Sequence, residues 1–275
     1  MVKLVFVDVD GTLVGKEGVP ECVWPAVEAL RARGIRLSLI TGRPGRGHAL
    51  AYARRLDPTG LHVFESGAVV VAFSQDPHSP PTQPLLVEAL PKEASREAIR
   101  LARRLGLPLE GYTADGGFFI EGDNPLLKAH QELLGIVAEE ADLLGLPTPL
   151  VRLQVLAEAQ APLGAFMDPL PRELQAHVAE SPRMPGVRFV SLTKRGVSKL
   201  TAARFVAESY GLTLAQCAMV GDGENDLELI QEVGLGIAMG NASPQVKRAA
   251  QRVVAPVEAC GLAEALAGLL PSQTP

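Results

Sequence analysis

Hydrophobic and polar positions follow two periods along this chain, and each change of period marks an element. The stretch LVFVDVDGTL at 4–13 begins as an apolar run suited to the middle of a sheet and ends in two carboxylates, Asp8 and Asp10. If the extended geometry lasts to Asp10, both carboxylates project to the same side, where their like charges call for a proton or a cation. Apolar residues then recur at helical spacing over 23–33 and stop at Gly34, and 35–40 reads as a second buried strand ending in Thr41-Gly42-Arg43-Pro44. A helix over 48–56 and two short strands at 61–64 and 68–73 follow, around Glu65-Ser66-Gly67.

Beyond this point the pattern changes. The proline-dense stretch 76–84 is the best boundary candidate. After it come a charged helix at 92–105, a hairpin signalled by Asp115-Gly116 within 112–120, a helix over 126–144, a strand at 151–156 and a helix at 172–180. Strand–helix alternation resumes with VRFVSL at 187–192, a helix over 197–210 and a strand at 218–222. Strands separated by helices imply right-handed βαβ crossovers and a parallel sheet covered on both faces. The expected fold is α/β: a Rossmann-like three-layer core from residues 1–81 and 187–275, with an inserted α+β cap over 82–186.

Length and composition narrow the function. The 275 residues are 47% hydrophobic and 21% charged with net charge −5, ordinary for a globular protein and without the basic surface that nucleic acid requires. No apolar run reaches the ~20 residues of a membrane span, so neither a membrane nor a nucleic-acid partner is expected. Cys22, Cys217 and Cys260 are odd in number and widely spaced, which indicates neither a disulfide framework nor a zinc site and suits a reducing cytoplasm. The five histidines show no metal-ligand spacing and are assigned to surface or core, and Trp24 to packing.

Three core strands end in polar clusters: Asp8-Val9-Asp10, Thr41-Gly42-Arg43 and Gly221-Asp222-Gly223-Glu224-Asn225-Asp226. Open α/β sheets bind ligands at the carboxyl ends of their strands, so the clusters are expected to share one crevice. Asp8, Asp10, Asp222 and Asp226 would make it oxygen-rich and acidic, suited to a small hard cation, Mg²⁺. Each motif alone reads equally well as a turn or a helix cap.

Together, DVDGT at 8–12, ITGRP at 40–44, RGVSK at 195–199 and GDGENDLEL at 221–229 resemble, in order, the four motifs of the haloacid dehalogenase (HAD) superfamily. The run GIAMGNA at 236–242 is similar to one in its Cof-type phosphatase branch. The resemblance implies a phosphatase with Asp8 as the nucleophile that becomes an aspartyl phosphate and Asp10 as general acid and then base, its backbone carbonyl on the metal. It further implies Asp222 on Mg²⁺ with Asp226 as a second ligand or a support, and a transferred phosphoryl group bound by Thr41, Gly42, Lys199 and Asn225. Arg43 and Ser66 are substrate candidates, Ser66 standing where Cof-type sequences commonly carry Asn.

The expected partner is a small phosphorylated metabolite, a sugar phosphate or similar. A phosphomutase of the same superfamily would yield an isomerised ester instead of free phosphate, and a non-catalytic sugar-phosphate sensor would not turn over p-nitrophenyl phosphate. A dehalogenase would leave the GDGEND cluster without a task.

Overall fold

The structure is a computed structural model that describes residues 2–73, 84–113, 115–181 and 183–270. Its strands are β1 (Leu4–Val7), β2 (Arg36–Leu39), β3 (Leu61–Phe64), β4 (Val69–Ala72), β5 (Leu86–Val87), β6 (Leu109–Thr113), β7 (Phe118–Ile120), β8 (Glu139–Glu140), β9 (Leu150–Ala157), β10 (Leu174–Ser181), β11 (Met184–Lys194), β12 (Cys217–Gly221), β13 (Leu235–Ala238) and β14 (Arg252–Val253). Its helices are α1 (Val23–Arg31), α2 (Gly47–Leu56), α3 (Lys92–Arg104), α4 (Pro125–Leu134), α5 (Leu163–Met167), α6 (Lys199–Ser209), α7 (Leu227–Glu232), α8 (Pro244–Ala249) and α9 (Gly261–Ala267).

The core is a parallel sheet in the order β14-β13-β12-β1-β2, extended toward β3 by a parallel bridge between Ile40 and Val63. Every residue of central β1 is fully buried, because successive side chains enter opposite layers. Val5 and Val7 pack with α1, α2 and α9 through Val27, Ala53 and Leu262, whereas Leu4 and Phe6 pack with α6, α7 and α8 through Val206, Ile230 and Val246. This is the expected three-layer α/β core.

A second, six-stranded sheet runs β10-β11-β9-β6-β7-β8. Helices α3 and α5 cover one of its faces, Ala98, Ile99 and Phe166 meeting Leu153, Val155, Val190 and Leu192. The expected hairpin is present, with Tyr112 opposite Phe118.

Several expected elements differ. The helix at 172–180 is strand β10, which alternates inward and outward residues and pairs antiparallel with β11 along its length. VRFVSL at 187–192 does not return to the core sheet but lies in β11, antiparallel to both β9 and β10. The chain therefore stays with the second sheet through Lys194, past the expected boundary at 186, while Leu86 and Val87, expected in the cap, pair with β4. Local sequence gave no sign of this, because an apolar strand is the same string in either sheet. Ser181 and Met184 pair across the β10–β11 turn, so the two strands form a hairpin. The proline-rich stretch 76–84 lies outside the described residues except for Pro84. Helix α4 ends at Leu134, where Gly135 adopts φ 70°, ten residues before the expected end.

Cys22 and Cys260 form a disulfide across 238 residues of sequence. This overturns the reading of the cysteines as unpaired. Their distance in the chain hid the pairing, which arises because α1 and α9 pack side by side. A reducing compartment no longer follows from cysteine usage. No helix among the described residues is long and apolar enough to cross a membrane.

Candidate active site

Strand β1 ends at Val7, and the carboxylates of Asp8 and Asp10 take different partners. Asp8 still holds its place in the sheet, its N–H donating to Val220 O at 3.1 Å. The chain then turns sharply, the Val9 carbonyl accepting from the N–H groups of Thr12, Leu13 and Val14. The condition for a shared side, extended backbone to Asp10, is thus not met.

Lys199 opens α6 behind the capping residue Ser198 and is buried. Its Nζ donates to Asp8 Oδ1 and to Asp226 Oδ1, both at 2.6 Å. The Asp226 Oδ2 accepts from the backbone N–H groups of Asp222 (3.2 Å) and Gly223 (3.0 Å), so this side chain organises its own loop. Asp222 is held by Thr12 Oγ1 at 2.9 Å and by Asn241 Nδ2 at 3.1 Å. Gly11, at φ 81°, is needed beneath it: a Cβ there would lie 2.0 Å from Asp222 Oδ2.

Carboxylate oxygens of Asp8, Asp222 and Asp226 all lie within 4.8 Å of one another. Burial and the neighbouring Asp226 push Asp8 up to about 7 against the pull of Lys199. Burial, Asp8 and Asp226 likewise raise Asp222 well above the usual carboxylate range. An assembly of crowded anions that resists full ionisation fits a divalent cation, and its all-oxygen donor set suits Mg²⁺.

Asp10 belongs to a separate arrangement. Arg43 grips it with two bonds, Nε to Oδ2 at 2.8 Å and Nη2 to Oδ1 at 2.7 Å, and Ser181 Oγ from β10 donates to Oδ1 at 3.1 Å. Burial works against its charge, but Arg43 and Ser181 outweigh burial and hold its carboxyl below the ordinary value. Of the four carboxylates expected to make the acidic pocket, those of Asp8, Asp222 and Asp226 converge and the Asp10 side chain stands apart.

The phosphate-side residues gather around one cavity of about 420 Å³, lined by Asp8, Asp10, Thr41, Gly42, Arg43, Ser66, Asp222 and Asn225 from the core and by β9, β10 and β11 from the cap. Lys199 lies beneath this surface, reaching the cavity only through Asp8. Thr41 Oγ1 accepts from Arg43 N–H at 3.1 Å. Glu65 and Ser66 both hold left-handed backbone, φ 54° and 58°, and Ser66 N–H donates to Thr41 O at 3.0 Å. This strained turn sets Ser66 beside Thr41 and delivers Glu65 to Arg152 of β9, whose Nε donates to it at 2.6 Å.

Residues 5–266 match the family described as haloacid dehalogenase-like hydrolase. The chain belongs to that family. Membership bears out the expected Cof-type HAD hydrolase and an enzyme, a phosphoric monoester hydrolase. An HMP-PP phosphatase of Cronobacter sakazakii is 26% identical over 249 residues, covering 90% of this chain and 87% of its own. The HMP-PP phosphatase of Yersinia pseudotuberculosis serotype IB is 27% identical over 256 residues, with the same coverage of both chains. Among solved structures, a HAD-like hydrolase from Bacteroides thetaiotaomicron superposes with TM-score 0.82 at 24% identity over 98% of this chain and all of its own. The HAD subclass IIB sugar phosphatase BT4131 gives TM-score 0.81 at 22% identity over 98% and 99% of the two chains. At such identities the structures establish the shared HAD fold.

Sequence reasoning missed Ser181 and His130, which line the cavity of this HAD site, and Glu65, which holds the cavity-lining Arg152. Ser181 was hidden in a strand read as helix and Glu65 in a turn whose backbone leaves no signature. His130 sits on α4 and needs tertiary structure to place it against the cavity.

Proposed function

We propose that the protein is a Mg²⁺-dependent phosphatase that hydrolyses a small phosphorylated metabolite, a sugar phosphate or similar, through an aspartyl-phosphate intermediate. The observation that carries this reading is the cluster of Asp8, Asp222 and Asp226 around the Lys199 ammonium at the floor of the cavity. Asp8 and Asp222 are the residues that would hold the metal. Asp226 supports them, since its two oxygens already serve Lys199 and two backbone amides. When bound, Mg²⁺ offsets the crowded negative charge, favours ionised Asp8 and polarises the phosphoryl oxygens.

Lys199 holds Asp8 Oδ1 and orients the carboxylate for attack on phosphorus. The P–O bond to the alcohol breaks as the Asp8–phosphorus bond forms, and the departing oxygen takes a proton from Asp10. Water then attacks phosphorus while Asp10 takes its proton, releasing phosphate and regenerating Asp8. With Arg43 and Ser181 on both its oxygens, Asp10 is ionised, the state the second step needs. For the first step Asp10 must first take up a proton, from solvent or from the entering phosphate monoester in its singly protonated form, as the alcohol displaces Arg43 from one of those oxygens. Thr41, Gly42 and Asn225, at the cavity wall, supply donors to the equatorial oxygens. The segment between β5 and the end of β11 acts as the cap that reads the alcohol.

The test is p-nitrophenyl phosphate hydrolysis with Mg²⁺ and with chelator, for wild type and Asp8→Asn. Turnover that needs Mg²⁺ and disappears in the variant supports the reading. Near-normal activity of Asp8→Asn would refute it.

A further inference from the structure

Side chains on the cap sheet alternate between two faces, so with Leu153, Val155, Val190 and Leu192 packed under α3 and α5, their neighbours point the other way. Arg152, Gln154, Phe189 and Ser191 are those neighbours, and all four line the catalytic cavity. A face this polar, buried against the core, is costly unless it meets something. Its centre is a carboxylate–histidine pair. Glu110, fully buried on β6, accepts from His130 Nδ1 at 2.7 Å on Oε1 and 3.0 Å on Oε2. Tyr112 OH (2.7 Å) and Gln154 Nε2 (2.8 Å) also donate to Oε2.

With donors on both oxygens, Glu110 is the acceptor, so Nδ1 of His130 carries a hydrogen and Nε2 is the atom left for a ligand. His130 lines the cavity, its ring tilted against Phe189 with centroids 5.0 Å apart. Beside it stands Arg152, fixed by Glu65, by Gln154 and Ser191 through Nη1, and by the Tyr112 ring 3.8 Å below its guanidinium. Its Nη2 is buried and finds no acceptor among the described residues.

We infer that Glu110, His130 and Arg152 form a leaving-group subsite that recognises uncharged hydroxyls on the alcohol half of the substrate. The inference rests on the phosphatase reading and adds to it the residues and the chemistry that select the alcohol. A hydroxyl supplies both things the subsite lacks, a proton for His130 Nε2 and a lone pair for Arg152 Nη2. A carboxylate or a second phosphate supplies no proton and also brings charge. The cations here are already matched, Arg152 by Glu65 and Arg43 by Asp10, so no surplus positive charge awaits a second anion. Sites built to hydrogen-bond a hydroxyl reject analogues without one, because their own buried groups are then left unpaired. Glu110 is a positioning residue, acting through the imidazole it orients.

The test separates binding from turnover. Neutral sugar and polyol monophosphates of three to six carbons are titrated by calorimetry into Asp8→Asn, with and without His130→Ala or His130→Gln. The best-bound ester loses about tenfold or more in affinity with Ala and recovers part of it with Gln. In otherwise wild-type enzyme, His130→Ala lowers kcat/KM for that ester relative to p-nitrophenyl phosphate by a similar factor. Independently of any variant, glucose 6-phosphate binds Asp8→Asn better than 6-phosphogluconate, which carries a carboxylate at the far end. Equal affinities with and without His130, or a preference for 6-phosphogluconate, overturn the subsite. Absence of wild-type turnover overturns the phosphatase reading, while the binding series still decides the subsite.

Discussion

His62, on the strand beside Thr41, is a buried histidine whose protonation state the backbone dictates. Its Nδ1 accepts from Leu39 N–H at 3.0 Å, and its Nε2 lies 2.8 Å from the Asp57 carbonyl, so the hydrogen is on Nε2. Protonating Nδ1 would turn the Leu39 bond into a clash of two donors in a site with no exposure. Burial is the main reason its pKa falls to about 4, outweighing the opposing hydrogen bond to Asp57. The unfolded chain takes up this proton near the ordinary value of 6.5, whereas the folded chain resists until about 4. Stability is therefore fully present above pH 6.5 and is lost as pH falls toward 4. Linkage puts the loss at about 2 kcal/mol at pH 5 and about 3 kcal/mol at pH 4. Because burial also raises Asp8, Asp222 and Glu65, the quantity to measure is the difference between wild type and His62→Gln in urea unfolding from pH 7.5 to 4. The variant has a donor and an acceptor but no titration. It starts less stable at pH 7.5, and its deficit shrinks by about 2 kcal/mol by pH 5. A deficit that stays constant across this range would refute the assignment of a neutral, backbone-locked imidazole.

Arg43→Gln removes the charge that depresses Asp10, so the acidic limb of the pH profile for the second step, water attack on the aspartyl phosphate with Asp10 as base, moves to higher pH; an unmoved limb would show that Asp10 does not titrate in that step. Gly11→Ala places a methyl group on Asp222 and strains a left-handed backbone, raising the Mg²⁺ concentration needed for half-maximal activity; an unchanged metal titration would separate Asp222 from the metal. Breaking the Cys22–Cys260 bridge releases a loop of 238 residues of sequence separation, worth up to about 5 kcal/mol in the chain-entropy treatment. Urea midpoints of Cys22→Ser, and of wild type with and without reductant, check this, and equal midpoints would contradict it.

The sequence by itself determined the core and the ingredients of its chemistry. Fully buried strands, helical periodicity and strand ends rich in Asp, Thr and Gly are local signals, and DVDGT, ITGRP, RGVSK and GDGENDLEL each stand on an element whose type was legible from its own residues. Tertiary structure decided which of those residues meet. It separated the Asp10 side chain from the other three carboxylates, because a loop closed on the Val9 carbonyl turns it toward Arg43. It also gave β10 and β11 to the cap, where long antiparallel pairing overrides the helical reading of 172–180. Cap residues such as Ser181 and His130 were invisible as site residues because they come from different parts of the chain. The same packing joined Cys22 to Cys260. A pattern within one segment reports which face is buried; what lies against that face depends on pairings between segments far apart in the chain, which no local pattern encodes.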